Sequence, residues 1–191
     1  MLSDKIWLTR KARIYAEQRL QRKAILSLIL ITVYSFSLLS LSIWNLLYSN
    51  HIVNLFLVFG SIAVLISSIV LLSQKYTERS IMMRNCYIRL DEIYSKAKRA
   101  EQNNDLDMLQ QLESEYASTL LNVENHSEYD YLCLRYSLRH NPQTTLPPFT
   151  RIDCLRYFWE KSWRIALIFL YFVLPLFLVG LWSAAQKNVS I

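Results

Sequence analysis

The sequence predicts an all-α membrane protein: an N-terminal two-helix transmembrane hairpin, a cytoplasmic helical subdomain and a third, C-terminal transmembrane helix. Three observations predict it. Residues 24–74 contain no Asp, Glu, Lys or Arg, and the polar triplet Ser49-Asn50-His51 divides them. Each half has about the 20 apolar residues that cross a ~30 Å hydrocarbon core as a helix. A second charge-free stretch runs from Ile165 to Gln186. Only two of the 191 residues are glycine, Gly60 and Gly180, which argues against Gly-rich nucleotide loops and strand-and-turn architectures.

Residues 1–23 read as a basic amphipathic juxtamembrane helix. Seven Lys/Arg face two acids there, a net charge of +5, and Ile6, Trp7, Ile14, Tyr15 and Leu20 are its apolar members. Such a helix lies on the inner membrane surface or runs on into the first span. Residues 24–48 and 52–73 are transmembrane helices 1 and 2. The first apolar run starts late, is long and lacks a small-residue cleavage site, so a cleaved signal peptide is not expected. Residues 75–164 hold thirteen basic and thirteen acidic residues. With the basic excess before span one, the positive-inside rule puts the N-terminus and residues 74–164 in the cytoplasm and the 49–51 turn outside. A third span over 165–185 then puts the C-terminus outside. Trp44, Tyr48, Tyr76, Trp159, Trp163 and Trp182 fall at span ends, where amphipathic rings belong.

The cytoplasmic segment 74–164 reads as several helices. Helical periodicity continues past Ser73 through Ile81, Met82, Leu90, Ile93, Tyr94 and Ala97, predicting one long helix that leaves the membrane. Asn103-Asn104-Asp105 breaks it, and Asn104 is the expected N-cap of a helix over 105–122. Ser127-Glu128-Tyr129-Asp130 has capping-box spacing for a helix toward Leu138, as does Thr150-Arg151-Ile152-Asp153 for one entering span three. Residues 141–148, with three prolines, form the linker. The three cysteines share no CxxC spacing and fall on the reducing side, so no disulfide framework is expected. His126 and Asp130 are four apart, a weak two-ligand metal pattern beside the simpler reading of a structural histidine at a helix start. No metal and no cofactor is expected.

Charge is segregated along this segment. Eight acids and no Lys or Arg lie between Arg99 and Arg135, and both flanks are net basic. That pattern fits attraction to anionic lipid near the bilayer with a solvated acidic face beyond it. A sharper reading is a basic pocket for an anionic ligand such as a nucleotide. Arg10, Lys11, Arg13, Arg19, Arg79, Arg84, Arg135 and Arg139 are the candidate contacts for ligand or lipid. Duplex nucleic acid is not an expected partner, since the charge run outside the membrane flanks is acidic.

Within the hairpin, Ser35, Ser42 and Ser49 recur every seven residues with Asn45 close by, and Asn54, Ser61 and Ser68 do the same in span two. Small and hydroxyl residues let membrane helices pack closely. Alternatively they line a weakly polar pore built from several copies. The spans carry no ionisable residue of the kind pumps, voltage sensors and coupled transporters use. No P-loop, nucleophile elbow or ligand cluster is present, so the chain does not read as an enzyme.

Three stretches together resemble a known family. Trp7-Leu-Thr9-Arg-Lys-Ala-Arg13-Ile-Tyr-Ala16-Glu-Gln-Arg19-Leu20 leads into the hairpin. Glu78-Arg79, Cys86-Tyr87-Ile-Arg-Leu90 and Ile93-Tyr94 follow it. Tyr116, Leu120-Leu121 and Asn125-His126-Ser127-Glu128-Tyr129-Asp130-Tyr131 complete the set. In order and spacing these are similar to the SLATT family, the SMODS- and SLOG-associating two-transmembrane effector domains of bacteria, with Trp7, Thr9, Arg19, His126 and Asp130 as the motif residues. The resemblance implies an anti-phage effector of the bacterial inner membrane. It implies a homo-oligomeric pore under a nucleotide or oligonucleotide signal, or a partner protein, from a neighbouring gene, and depolarisation that arrests or kills the infected cell. The alternative is a non-conducting anchor or scaffold that recruits a cytosolic defence enzyme through the acidic 101–130 segment. In the pore reading, the long helix leaving span two and the helix entering span three carry the signal.

Overall fold

Six helices follow one another in the computed structural model, which describes residues 1–48, 50–121, 123–139 and 146–189, with backbone alone at 48, 172 and 174–189. They are α1 (Leu2–Tyr48), α2 (His51–Ser73), α3 (Tyr76–Gln102), α4 (Leu106–Leu121), α5 (Glu128–Leu138) and α6 (Arg151–Val189). No strand occurs among the described residues. The chain divides into two units, Met1–Ala24 with Tyr76–Phe158, and Ile25–Lys75 with Trp159–Ile191.

The first unit is built on α3. Ser80, Met83, Cys86, Leu90, Ile93, Ala97 and Ala100 are its buried residues, a three-and-four spacing that puts them on one face. Ile6 of α1 and Leu112 and Tyr116 of α4 join that face in one cluster. Ala16 and Leu20 of α1 pack with Met83 in a second. The N-terminal helix therefore buries Ile6, Ala12, Ala16 and Leu20 in protein, and α1 runs unbroken from Leu2 to Tyr48. Ile81 and Met82, which periodicity grouped with Leu90 and Ile93, are instead about half exposed.

Two junctions differ from expectation. Span two and the following helix are separate, because α2 ends at Ser73 and Lys75 adopts a left-handed φ of 48°. The backbone cannot carry its hydrogen-bond ladder through that conformation. At the α3–α4 turn, Asp105 is the N-cap: its carboxylate accepts the Met108 N–H at 3.0 Å. Asn104, the expected cap, has φ 53° and terminates α3. The Asp105 N–H donates to Ala100 and the Asn104 N–H to Glu101, the paired bonds of a Schellman ending. The expected capping box of α5 is present on Ser127 and Asp130. At α6, Thr150 and Asp153 exchange the same reciprocal bonds. Residues 141–145 of the Pro-containing linker lie outside the described residues, as does Ser49.

In the second unit α1 and α2 form the hairpin. Each carries an apolar stretch long enough to cross a membrane, and neither stretch is buried. Asn50 caps α2 by accepting the Ile52 N–H at 2.9 Å. The helices approach closely at Gly60, where an added Cβ would lie 2.8 Å from Leu38 Cδ2.

Candidate functional site

The residues singled out by sequence fall into two places, one in each unit. In the first unit the motif segments meet. Arg19 Nε of α1 donates to Asp130 Oδ1 of α5 at 2.9 Å, and Asp130 is 1 % exposed. The other oxygen, Oδ2, accepts from the Ser127 N–H and hydroxyl at 2.9 and 2.8 Å. Asp130 thus closes a helix cap and neutralises an arginine at once. Thr9 sits 2.8 Å from the Tyr116 hydroxyl across to α4. Lys11 lies over the Trp7 ring at 5.7 Å.

The arginines proposed as anion contacts are mostly matched to carboxylates of the same chain. Arg10 pairs with Asp91, Arg84 with Glu17 at 3.0 Å and Arg135 with Asp153 at 2.7 Å. Arg79 bonds Glu124 through two nitrogens, each at 2.9 Å. Arg139 lies 3.9 Å over the Tyr136 ring. The acids at 101–130 are therefore not a separate solvated tip. Because α4 folds back along α3, Glu115 reaches Arg89, and the connector beyond it brings Glu124 to Arg79. Glu128 reaches Arg156 at 2.6 Å. Glu101 accepts from the backbone N–H and hydroxyl of Ser3. Burial alone raises the Glu101 pKa, but these bonds outweigh it and the net shift is down. Glu17, Asp91 and Arg156 were not singled out by sequence, and Asp153 was read only as a helix cap; the equal numbers of acids and bases over 75–164 were the signal that pairing was available.

Arg13 is paired with no carboxylate among the described residues. It is 2 % exposed, its Nη1 donates to the Glu124 carbonyl and toward Met83 Sδ at 3.6 Å, and its Nε has no partner among the described residues. Beside it stands His126, whose Nδ1 is buried and likewise unpartnered among them. Burial lowers the His126 pKa and the Arg13 charge lowers it further, with Asp130 opposing. Burial also raises the Cys86 thiol pKa, against the Arg13 charge. No group of three or more potential metal ligands occurs among the described residues.

In the hairpin, the two asparagines turn toward each other. Asn45 Nδ2 donates to Asn54 Oδ1 at 2.5 Å, and Asn45 Oδ1 accepts the Asn50 N–H at 3.0 Å. Asn45 is 8 % exposed. These side chains close the turn between the helices. Ser61 and Ser68 donate to the carbonyls of Val58 and Leu65 in their own helix. Ser35, Ser42 and Ser61 are exposed. The stripe read from sequence is thus divided, with Asn45 buried at the hairpin turn and Ser35, Ser42 and Ser61 on its outer surface.

The model of the family described as SMODS and SLOG-associating 2TM effector domain family 5 matches residues 1–181. No curated protein matches the chain, and neither does any solved structure.

Proposed function

Because the chain belongs to the SMODS and SLOG-associating two-transmembrane effector domains, family 5, a family of anti-phage defence effectors, we propose that it acts as a membrane pore whose copies open on a defence signal. The observation that carries this is the hairpin: two apolar helices whose membrane-length stretches are not buried among the described residues, joined to a separate unit held by ion pairs. In this reading α6 enters the bilayer near Ile165 as a third span, the N-terminus and residues 76–158 lie in the cytoplasm, and the C-terminus lies outside. Ser35, Ser42, Ser61 and Ser68 are the candidate lining. Asn45 and Asn54, spent on each other, hold the turn. The trigger is a nucleotide-type signal or a partner protein acting on the cytoplasmic unit, and α1 and α6 carry its effect because they run unbroken between the units. The consequence for the cell is depolarisation with growth arrest or death.

The scaffold alternative draws less support. Of the eight acids at 101–130, Asp107 and Glu113 are exposed and without a side-chain partner among the described residues, and the others bond within the chain. Membrane potential in cells expressing the chain with its neighbouring genes tests the pore, before and after phage infection. Depolarisation is expected on infection, altered by Ser42→Leu or Ser61→Leu. A chain that inserts fully yet leaves the potential unchanged through infection would overturn it.

A further inference from the structure

A proline interrupts the stretch of α6 read as the third span. The chain is one α-helix from Arg151 to Val189, and residue 175 within it is Pro. In an α-helix the carbonyl of residue 171 accepts the N–H of residue 175. Proline has no N–H, and its ring crowds that same carbonyl. The Tyr171 carbonyl is therefore without its helical donor. A donor comes from α1 instead: the Tyr34 hydroxyl bonds the Tyr171 carbonyl at 2.9 Å. Both residues belong to the second unit, Ile25–Lys75 with Trp159–Ile191.

Depth gives this bond its weight. With α6 entering the bilayer near Ile165, Tyr171 lies about 9 Å and Pro175 about 15 Å further along the helix at 1.5 Å per residue. That puts Pro175 near the middle of a ~30 Å hydrocarbon core. Tyr34 lies about 15 Å beyond Ala24 by the same count. Helical side chains lean toward the N-terminus of their own helix, which brings the Tyr34 hydroxyl back toward the level of Tyr171. Water does not reach a carbonyl there, and an unbonded one is costly. A membrane helix tolerates a proline when a neighbouring helix satisfies the freed carbonyl, and Tyr34 does so. Proline is also where helices bend. The third span thus has a bend site whose free carbonyl is held by a hydroxyl of α1.

We propose that Tyr34 and Pro175 form a latched hinge in the third span, and that opening the pore releases the latch. With the hydroxyl on the Tyr171 carbonyl, the span is held against α1. Letting go leaves that carbonyl unbonded, so the bonded form is the resting one. A signal that moves α6 supplies the release, and the span then bends at Pro175. Tyr34 is a positioning residue in this account, acting through the backbone of α6. The inference rests on the proposed pore and on α6 as its third span.

A double-mutant cycle on the full chain, expressed with its neighbouring genes, tests it. Pro175→Ala restores the missing N–H, so the Tyr34 hydroxyl matters only while residue 175 is proline. Tyr34→Phe is expected to favour the open state about threefold to thirtyfold, the range of one hydrogen bond between membrane helices, read as depolarisation of uninfected cells. Pro175→Ala, alone or with Tyr34→Phe, is expected to hold the potential through infection. Steric-trap unfolding in bicelles is expected to show a loss of stability for Tyr34→Phe with proline at 175 and none with alanine there. Equal losses in the two backgrounds overturn the latch and leave the pore standing. Pro175→Ala chains that still depolarise on infection as wild type does overturn the hinge. A wild-type chain that never depolarises overturns the pore and the gating role with it, whatever the unfolding cycle shows of the bond.

Discussion

Arg19 and Asp130 join the first half of α1 to the first turn of α5, 111 residues apart in sequence. The carboxylate is almost wholly buried and the guanidinium partly so, at 1 % and 17 % side-chain exposure. Removing one partner of a buried pair leaves the other charge uncompensated, which costs about 3–5 kcal/mol.

Arg19→Met is therefore expected to destabilise the first unit by about 3 kcal/mol. Asp130→Ala should cost more, since it also removes an N-cap partner worth about 1 kcal/mol. Denaturation of the detergent-solubilised chain, followed by the signal of the α3–α5 tyrosines, measures both. Equal stability of Asp130→Ala and wild type would contradict the dual role.

The Asn45–Asn54 bond closes the hairpin turn. Hydrogen bonds between membrane helices contribute about 0.6–2 kcal/mol. Asn45→Leu should loosen the hairpin more than Asn54→Leu, because Asn45 also accepts the Asn50 N–H. Steric-trap unfolding in bicelles ranks the two, and the reverse order would count against the geometry.

At Gly60 the neighbour is the flexible end of Leu38. Gly60→Ala is expected to be tolerated after a small shift of that side chain. Gly60→Ile, which adds volume at the same contact, should cost about 1–3 kcal/mol as overpacking does. The same unfolding measurement applies, with Leu38→Ala in the Gly60→Ile background predicted to restore part of the loss.

His126 sets a pH dependence of known sign. Its folded pKa lies below the ordinary value of 6.5, so the folded state binds this proton less readily than the unfolded chain. The stability it contributes is complete above about pH 6.5 and is lost as pH falls from there through the depressed folded value. The lowered carboxyls Glu101 and Asp153 lose theirs only under more acidic conditions, below their ordinary values of 4.5 and 3.8. His126→Gln should flatten the stability profile between pH 6.5 and 5 while leaving the steeper fall at lower pH. An unchanged slope in that window would remove His126 as its source.

Much of this was legible in sequence because local rules decided it. The Ser127/Asp130 and Thr150/Asp153 caps follow from spacing alone, and the hairpin follows from a charge-free run divided by polar residues. Asn104 was misplaced by one position, because Asn suits both an N-cap and a left-handed helix end and only the backbone distinguishes them. Lys75 was missed for a related reason: lysine carries no signal for a positive φ. The charge pattern misled more deeply. Acids and bases separated along the chain read as two surfaces, whereas folding α4 back along α3 brings them into contact. Such long-range matches depend on which helices adjoin, and no local periodicity states that. For the same reason the asparagine pair and the serines of the spans looked like one stripe until the turn drew Asn45 inward.

The left-handed residue at Lys75 has a consequence for how this chain tolerates changes in length. In an unbroken helix, one inserted residue turns everything beyond it by about 100°. Within α1 or α6 such an insertion would put every downstream side chain on the wrong face. At Gln74-Lys75 the ladder is already interrupted, and the extra residue is absorbed in the turn without changing the phase of either helix. Natural variants that differ in length are expected at that joint and not near residue 24 or 158.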